Sequence, residues 1–325
     1  MTPRALRLVF FGTPEFAVPT LERLLAGRHP VVSVVSQPDR PRGRGRKLSP
    51  SPVAERALRA GVPLLRPEAV AAPEVEAALR AAAPDLGVVV AFGQFLPKRI
   101  RELPRLGYAI NGHASLLPRW RGAAPIARAV LAGDAETGIS VMRVEREMDA
   151  GPVASRVATP IGPGETTGEL ELRLAGLAAD ALAAAVEEIA LGRLVWTPQP
   201  TAGVTFAPKL GREEAQLDFR EPARALVRRV CAFAPKPGAF TAFRGEPLRI
   251  LRAEAQPGAV DRSPGRVARG SDPLLRIATG DGWLVPRVLQ RAGGRALATP
   301  DFLRGCDLAD GIVLGSEAAT ARLPA

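Results

Sequence analysis

The chain has 325 residues, 46% of them hydrophobic and 24% charged, a balance that fits a globular protein of more than one domain. Lys and Arg number 44 against 33 Asp and Glu, a net charge of +11; such an excess points to a polyanionic partner such as nucleic acid, or to an Arg-rich proteome. Two Cys and two His cannot build a metal-ligand cluster, and no apolar run reaches the roughly 18 residues of a membrane span.

The first element is an apolar run, Leu6 to Phe11, read as a buried strand. It ends in Gly12-Thr13-Pro14-Glu15-Phe16 and a helical pattern to Leu25. Strand, Gly turn and helix follow one another, but without a G-x-G-x-x-G pattern, so a dinucleotide site is poorly supported. His29 follows the helix and reads as a surface residue. Met1 to Arg7 contains no apolar leader core.

Val31 to Val35 is a second strand. The next segment, Gln37 to Leu48, contains Arg40, Arg42, Arg44, Arg46 and Lys47 against one acid. Its Pro and Gly content argues against regular structure. Cations alternating with Gly suit phosphate contact, and a solvated loop is the other reading. Ser51 and Pro52 then mark a helix start, and Gly61 its end. Val62 to Leu65 is a short strand, and Glu74 to Ala82 a helix opened by Pro73. The uninterrupted run Leu86 to Ala91 predicts a central parallel strand with both faces covered. It leads into Phe92-Gly93-Gln94.

The most informative stretch is Ile110-Asn111-Gly112-His113-Ala114-Ser115-Leu116-Leu117-Pro118-Arg119-Trp120-Arg121-Gly122. An apolar approach enters it like a strand, and a helix-like run starts near Ala123 and ends near Gly133. Residues i and i+2 of a strand share a face. Asn111 and His113 then lie together at a carboxyl end, where open α/β sheets place their sites. An amide donor beside an imidazole is the minimum kit for acyl transfer. An Asn-Gly turn with a structural histidine is the other reading of these residues.

Further along, Ile139 to Val144 is a strand, followed by Met148-Asp149-Ala150-Gly151. An Asp before Gly is a common turn. Beside an imidazole, the same carboxylate would favour the charged ring and orient it. Pro152 to Pro160 is extended, Thr166 to Leu191 is helical, and Val195 to Thr205 reads as a linker. After a helix over Glu221 to Phe233, short apolar runs cut by Gly and Pro predict a small barrel. Lys and Arg exceed Asp and Glu by 19 to 13 from Thr205 onward and by 25 to 20 before it, so the basic excess is denser in the last third.

Asn-x-His followed by Ser-Leu-Leu-Pro-x-x-x-Gly resembles the signature of the folate-dependent formyltransferases. The longer run Ser115 to Ile126 is similar to the branch that acts on methionyl-tRNA. Gly112 stands where that family usually carries an apolar residue. The resemblance implies a Rossmann-like, mostly parallel α/β formyltransferase domain over 1–192. A linker over 193–204 and an OB-like β-barrel that supports tRNA over 205–325 would follow. It implies that Asn111, His113 and Asp149 are catalytic. Phe92, Gly93, Gln94, Ser115, Leu116, Leu117 and Pro118 would line a reduced folate. Arg40, Arg42, Arg44, Arg46 and Lys47 would grip the tRNA acceptor stem.

The implied reaction moves a formyl group from 10-formyltetrahydrofolate, a cosubstrate, to the methionine α-amine of initiator tRNA. No metal, resident cofactor or membrane is implied, and a cytoplasmic monomer is expected. Two alternatives stay open. One is a folate-dependent transferase or hydrolase acting on a small amine. The other is a noncatalytic RNA-binding relative.

Overall fold

A computed structural model describes residues 4–42, 45, 47–269 and 274–315. Its contacts divide the chain into two compact units. One comprises the residues up to Pro125, Thr137–Thr159 and Glu171–Ala207; the other comprises Ile126–Glu136, Pro160–Leu170 and the residues from Pro208.

The first unit opens with β1 (Leu8–Gly12), α1 (Val18–Leu25) and β2 (Val31–Val35). Next come β3 (Arg40–Arg42), β4 (Lys47–Ser49), α2 (Pro52–Ala60), β5 (Leu64–Leu65) and α3 (Pro73–Ala82). The helix ends follow the residue chemistry. Ser51 accepts from the Ala54 amide, Pro52 sits in the first turn, and Gly61 ends α2 at φ 67°.

In chain order come β6 (Leu86–Val90), α4 (Lys98–Arg101), β7 (Ala109–His113), β8 (Arg121–Gly122) and α5 (Pro125–Ala132), which belongs to the second unit from Ile126 on. Then follow β9 (Glu136–Arg143), β10 (Val153–Pro160), α6 (Thr167–Ala190) and β11 (Phe206–Ala207).

Seven strands form one sheet in the order β10-β9-β7-β6-β1-β2-β5. The strands from β5 to β7 pair in parallel, and β9 pairs antiparallel with β7. The chain therefore winds outward from β1 in both directions. That reversal puts the ligand crevice of such sheets at the carboxyl ends of β1, β6 and β7. As expected for a central strand, every residue of β6 is buried. One face packs Val9, Phe11, Val35, Val89, Phe92 and Ile100 into a single core.

At the opposite, amino end of the sheet, Asp85 accepts from the Arg7 amide at 3.0 Å and meets Arg105 at 2.5 Å. Burial alone would raise this carboxyl. The Arg7 amide and the Arg105 guanidinium outweigh it and hold the group below the ordinary carboxylate value.

Two readings are corrected. Arg40–Arg42 and Lys47–Ser49 pair antiparallel, Arg40 opposite Ser49 and Arg42 opposite Lys47, so the flanks of the basic segment are regular. A two-stranded ribbon has edges on both sides, and Pro41 needs no partner for the amide it lacks. His29 is buried rather than at the surface. Its Nδ1 accepts from the Leu6 amide at 2.9 Å and its Nε2 lies 3.1 Å from Glu187.

The second unit carries α7 (Ala223–Phe233), β12 (Ala239–Phe243), β13 (Glu246–Pro257) and β14 (Val267–Arg269). These precede β15 (Leu275–Ala278), β16 (Gly282–Arg291), β17 (Leu297–Ala298) and α8 (Thr299–Arg304). Its antiparallel strands run in the order β12-β13-β16-β15-β14, with β17 beside β16. α7 turns Leu226, Val230, Cys231 and Phe233 into the core. After α8, the Ile312 carbonyl accepts from Val267, and the Gly315 amide donates to Ala242 of β12. Among the described residues, no helix is long and apolar enough to cross a membrane.

Candidate functional site

β7 brings Asn111 and His113 to one face of the sheet at its carboxyl end. Asn111 lies opposite Met142 and His113 opposite Ser140 of β9. Between them Gly112 faces the other way. A Cβ there would stand 2.8 Å from Leu182 Cδ1 of α6. The helix side chain thus fills the room that a larger residue would take.

His113 is 6% exposed. Its Nε2 lies 2.8 Å from the Trp120 carbonyl, and its Nδ1 lies 3.6 Å from Asp149 Oδ2. A carbonyl can only accept, so Nε2 carries the hydrogen of that bond. The nitrogen left to face a reacting group is Nδ1. Asn111 is half-buried, and among the described residues no hydrogen bond engages its side-chain carboxamide.

Asp149 comes from the segment after β9 and stands at φ 52°. Its Oδ2 also accepts from the Gly122 amide at 2.8 Å. Gly122 has φ 123°, and a Cβ on it would stand 2.8 Å from the Ala207 carbonyl oxygen. Only glycine permits this approach. Ala91, Trp120 and Asp149 all hold positive φ in the loops beyond β6, β7 and β9. Each such residue stores roughly 1–3 kcal/mol, a cost that collects at functional sites.

The other expected residues divide. Phe92 is buried, and its carbonyl accepts from Thr13 Oγ1 at 2.8 Å and Gln37 Nε2 at 3.2 Å. Gly93 follows at φ 85°. The Gln94 side chain is committed to the 67–70 segment: it accepts from Val70 and donates to the Pro67 carbonyl. Ser115 is fully buried and donates to the Arg119 carbonyl at 2.6 Å. Leu117 packs with Met142 and Val153. Ser140 bridges this turn, donating to the Ser115 carbonyl and accepting from the Leu117 amide. Leu116 and Pro118 lie in the same turn, where the Arg119 amide donates to the Leu116 carbonyl. Ser115 and Leu117 therefore hold the loop in shape, while Leu116 and Pro118 are only half-buried.

Of the basic segment, Arg40 pairs with Glu68 at 3.0 Å and Lys47 is exposed. Arg44, Arg46 and the Arg42 side chain lie outside the described residues.

Sequence reasoning missed Thr13, Gln37 and Ser140, which shape the crevice, and Gln199. Gln199 donates to the carbonyls of Asp149 and Gly151, each at 2.8 Å. Thr13 lies in the Gly12 to Phe16 turn, which its Gly and Pro mark in the sequence. Nothing distinguished Gln199 from any polar residue among prolines.

Residues 6–186 match the model of the formyl transferase family, and residues 209–307 match the formyl transferase C-terminal domain. The chain belongs to the formyl transferase family. It is 49% identical over 308 residues to the methionyl-tRNA formyltransferase of Halorhodospira halophila, covering 94% of this chain and 98% of that one. Two solved structures share the family's fold at low identity. HypX from Aquifex aeolicus, in complex with tetrahydrofolic acid, superposes with a TM-score of 0.63 at 18% identity. The match covers 92% of this chain, which spans about half of HypX (47%). The methionyl-tRNA formyltransferase from Clostridium thermocellum gives 0.53 at 13% identity, covering 77% of this chain and 94% of that one.

Proposed function

We infer that the chain transfers the formyl group of 10-formyltetrahydrofolate to the methionine α-amine of initiator methionyl-tRNA, giving N-formylmethionyl-tRNA for translation initiation. The observation that carries this reading is His113 Nδ1 standing 3.6 Å from Asp149, two residues along β7 from Asn111 and on the same face. The end-to-end likeness to a methionyl-tRNA formyltransferase supplies the substrate.

The neutral amine attacks the formyl carbon, and negative charge grows on its oxygen. Collapse of that oxyanion breaks the bond to N10, which leaves as tetrahydrofolate with a proton while the amine gives one up. The Asn111 amide and a protonated His113 donate to that oxygen, and Asp149 orients the ring and takes part in proton transfer. Donors fixed in advance need no reorganisation as charge develops. Backbone at Phe92, Gly93 and Gln94 receives the folate, and the loop Ser115 to Pro118 lines its cleft. Arg40, Arg42, Arg44, Arg46 and Lys47 meet the acceptor stem through phosphate contacts.

In this reading the catalytic part spans 1–192, a linker 193–204, and a tRNA-supporting OB-like barrel 205–325. Backbone bonds from the 312–315 segment to both Val267 and Ala242 support the barrel. The enzyme works as a cytoplasmic monomer.

Purified protein with 10-formyltetrahydrofolate tests the reading against its rivals. Formyl transfer to charged initiator tRNA, with little transfer to glycinamide ribonucleotide or nucleotide-sugar amines, is the expected result. Transfer to a small amine alone, folate hydrolysis alone, or tRNA binding without transfer would replace it.

A further inference from the structure

The stretch after α6 reads as a linker by composition, yet it is bonded along the candidate site. Thr197 exchanges backbone hydrogen bonds with Val153 at 2.8 and 2.9 Å. Thr205 accepts from the Trp120 amide through Oγ1 at 2.9 Å and from the Arg121 amide through its carbonyl at 2.9 Å. Phe206 and Ala207 pair with Arg121 and Gly122, and the Ala124 amide donates to Ala207 at 3.1 Å. The segment thus touches both loops that meet at His113: the one with Trp120 and Gly122, and the one with Asp149.

Gln199 sits at the centre of this strap with every polar position used. Its two amide hydrogens go to the Asp149 and Gly151 carbonyls. Its Oε1 accepts from Arg121 Nε at 3.1 Å and Nη2 at 2.9 Å. This pattern fixes which end of the amide is nitrogen, since carbonyls only accept and guanidinium only donates. Arg121 is itself 9% exposed. Asp149, at φ 52°, holds a backbone shape that neighbouring bonds must maintain.

We propose that Gln199 is a positioning residue for formyl transfer: aimed by Arg121, it clamps the backbone of the Asp149 loop and so sets the Asp149 carboxylate against His113. The proposal rests on the catalytic reading of Asp149. Gln199 acts through that carboxylate and touches no substrate.

The test is steady-state formyl transfer to charged initiator tRNA by Gln199→Ala, Gln199→Glu, Asp149→Asn and the Gln199→Ala/Asp149→Asn double variant, with thermal midpoints alongside. Gln199→Glu keeps the size of the side chain and an acceptor for Arg121, so it reports even where the alanine variant folds poorly. It turns an oxygen toward the two carbonyls in place of the donors. We expect each Gln199 variant to lose about 10- to 100-fold in kcat, the scale of a small misplacement at a reacting centre. KM for either substrate should stay within about twofold, the mark of an interaction that matters only in the transition state. In the Asp149→Asn background, Gln199→Ala should cost nothing further, because residues acting as a unit are not additive.

Wild-type turnover in Gln199→Glu would overturn the clamp, as would a Gln199→Ala loss that multiplies in full onto Asp149→Asn. If those results came with an inactive Asp149→Asn, only the clamp would fall. Wild-type turnover in Asp149→Asn would remove the catalytic reading, and the clamp with it.

Discussion

The Gly122 amide donates to Asp149 Oδ2 at 2.8 Å, and the same oxygen lies 3.6 Å from His113 Nδ1. A backbone donor from one loop thus fixes the carboxylate of another. Gly122 itself cannot readily carry a side chain. At φ 123°, with the Ala207 carbonyl 2.8 Å from where a Cβ would be, Gly122→Ala meets both strain and a backbone clash. We expect it to lose roughly 1–3 kcal/mol of stability. At a temperature where the variant stays folded, turnover should fall as well. Chemical denaturation and single-turnover assays read the two effects separately, and loss of neither would mean that the loop is looser than its bonds imply.

Asn111 is the donor least committed to the protein itself. Asn111→Ala should lower turnover roughly 100- to 1000-fold, the usual effect of removing one oxyanion donor. KM for both substrates should move little. Near-native turnover in a folded variant would discard the assignment.

The basic segment should act through phosphates. Replacing Arg42, Arg44 and Arg46 together by Ala should raise the KM for charged tRNA. It should also flatten the log–log dependence of that KM on salt by about three contacts' worth of slope. Transfer at saturating tRNA should survive. An unchanged salt slope would make the segment a bystander.

Asp85 makes a prediction about acid. Its folded value is depressed, so the stability it contributes is present above the unfolded carboxylate value, about 3.9, and is lost as pH falls through the folded one. Asp85→Asn should therefore destabilise the protein near neutrality, by roughly 1–3 kcal/mol for a broken buried charge-assisted bond. Below about pH 4 the gap from wild type should narrow. Denaturation midpoints across pH 3 to 8 measure it, and a gap that widens in acid would reverse the sign argued here.

How much of this could be read from residues alone varies by feature. The ends of α2 were legible because Ser51, Pro52 and Gly61 each act locally. β6 was legible because a strand covered on both faces reads as continuous apolar sequence. The Asn111–His113 face followed from strand alternation, and the family likeness pointed to Asp149. The β3–β4 ribbon was hidden by Pro and Gly, which mark turns but do not forbid an edge pair. His29 was misplaced because its partners, Leu6 and Glu187, are distant in sequence. Gln199 was invisible for the same reason: hydrogen bonds across 50 and 78 positions leave no local pattern.

The wiring of the imidazole has a kinetic consequence. Because the Trp120 carbonyl holds the hydrogen at Nε2, that position is a dead end for proton traffic. Protons can enter and leave this histidine only by its other nitrogen, on the Asp149 side. The ring is then a single-port device, able to hand back only what the same port received. Any net relay to bulk solvent must pass through the carboxylate or a water beside it.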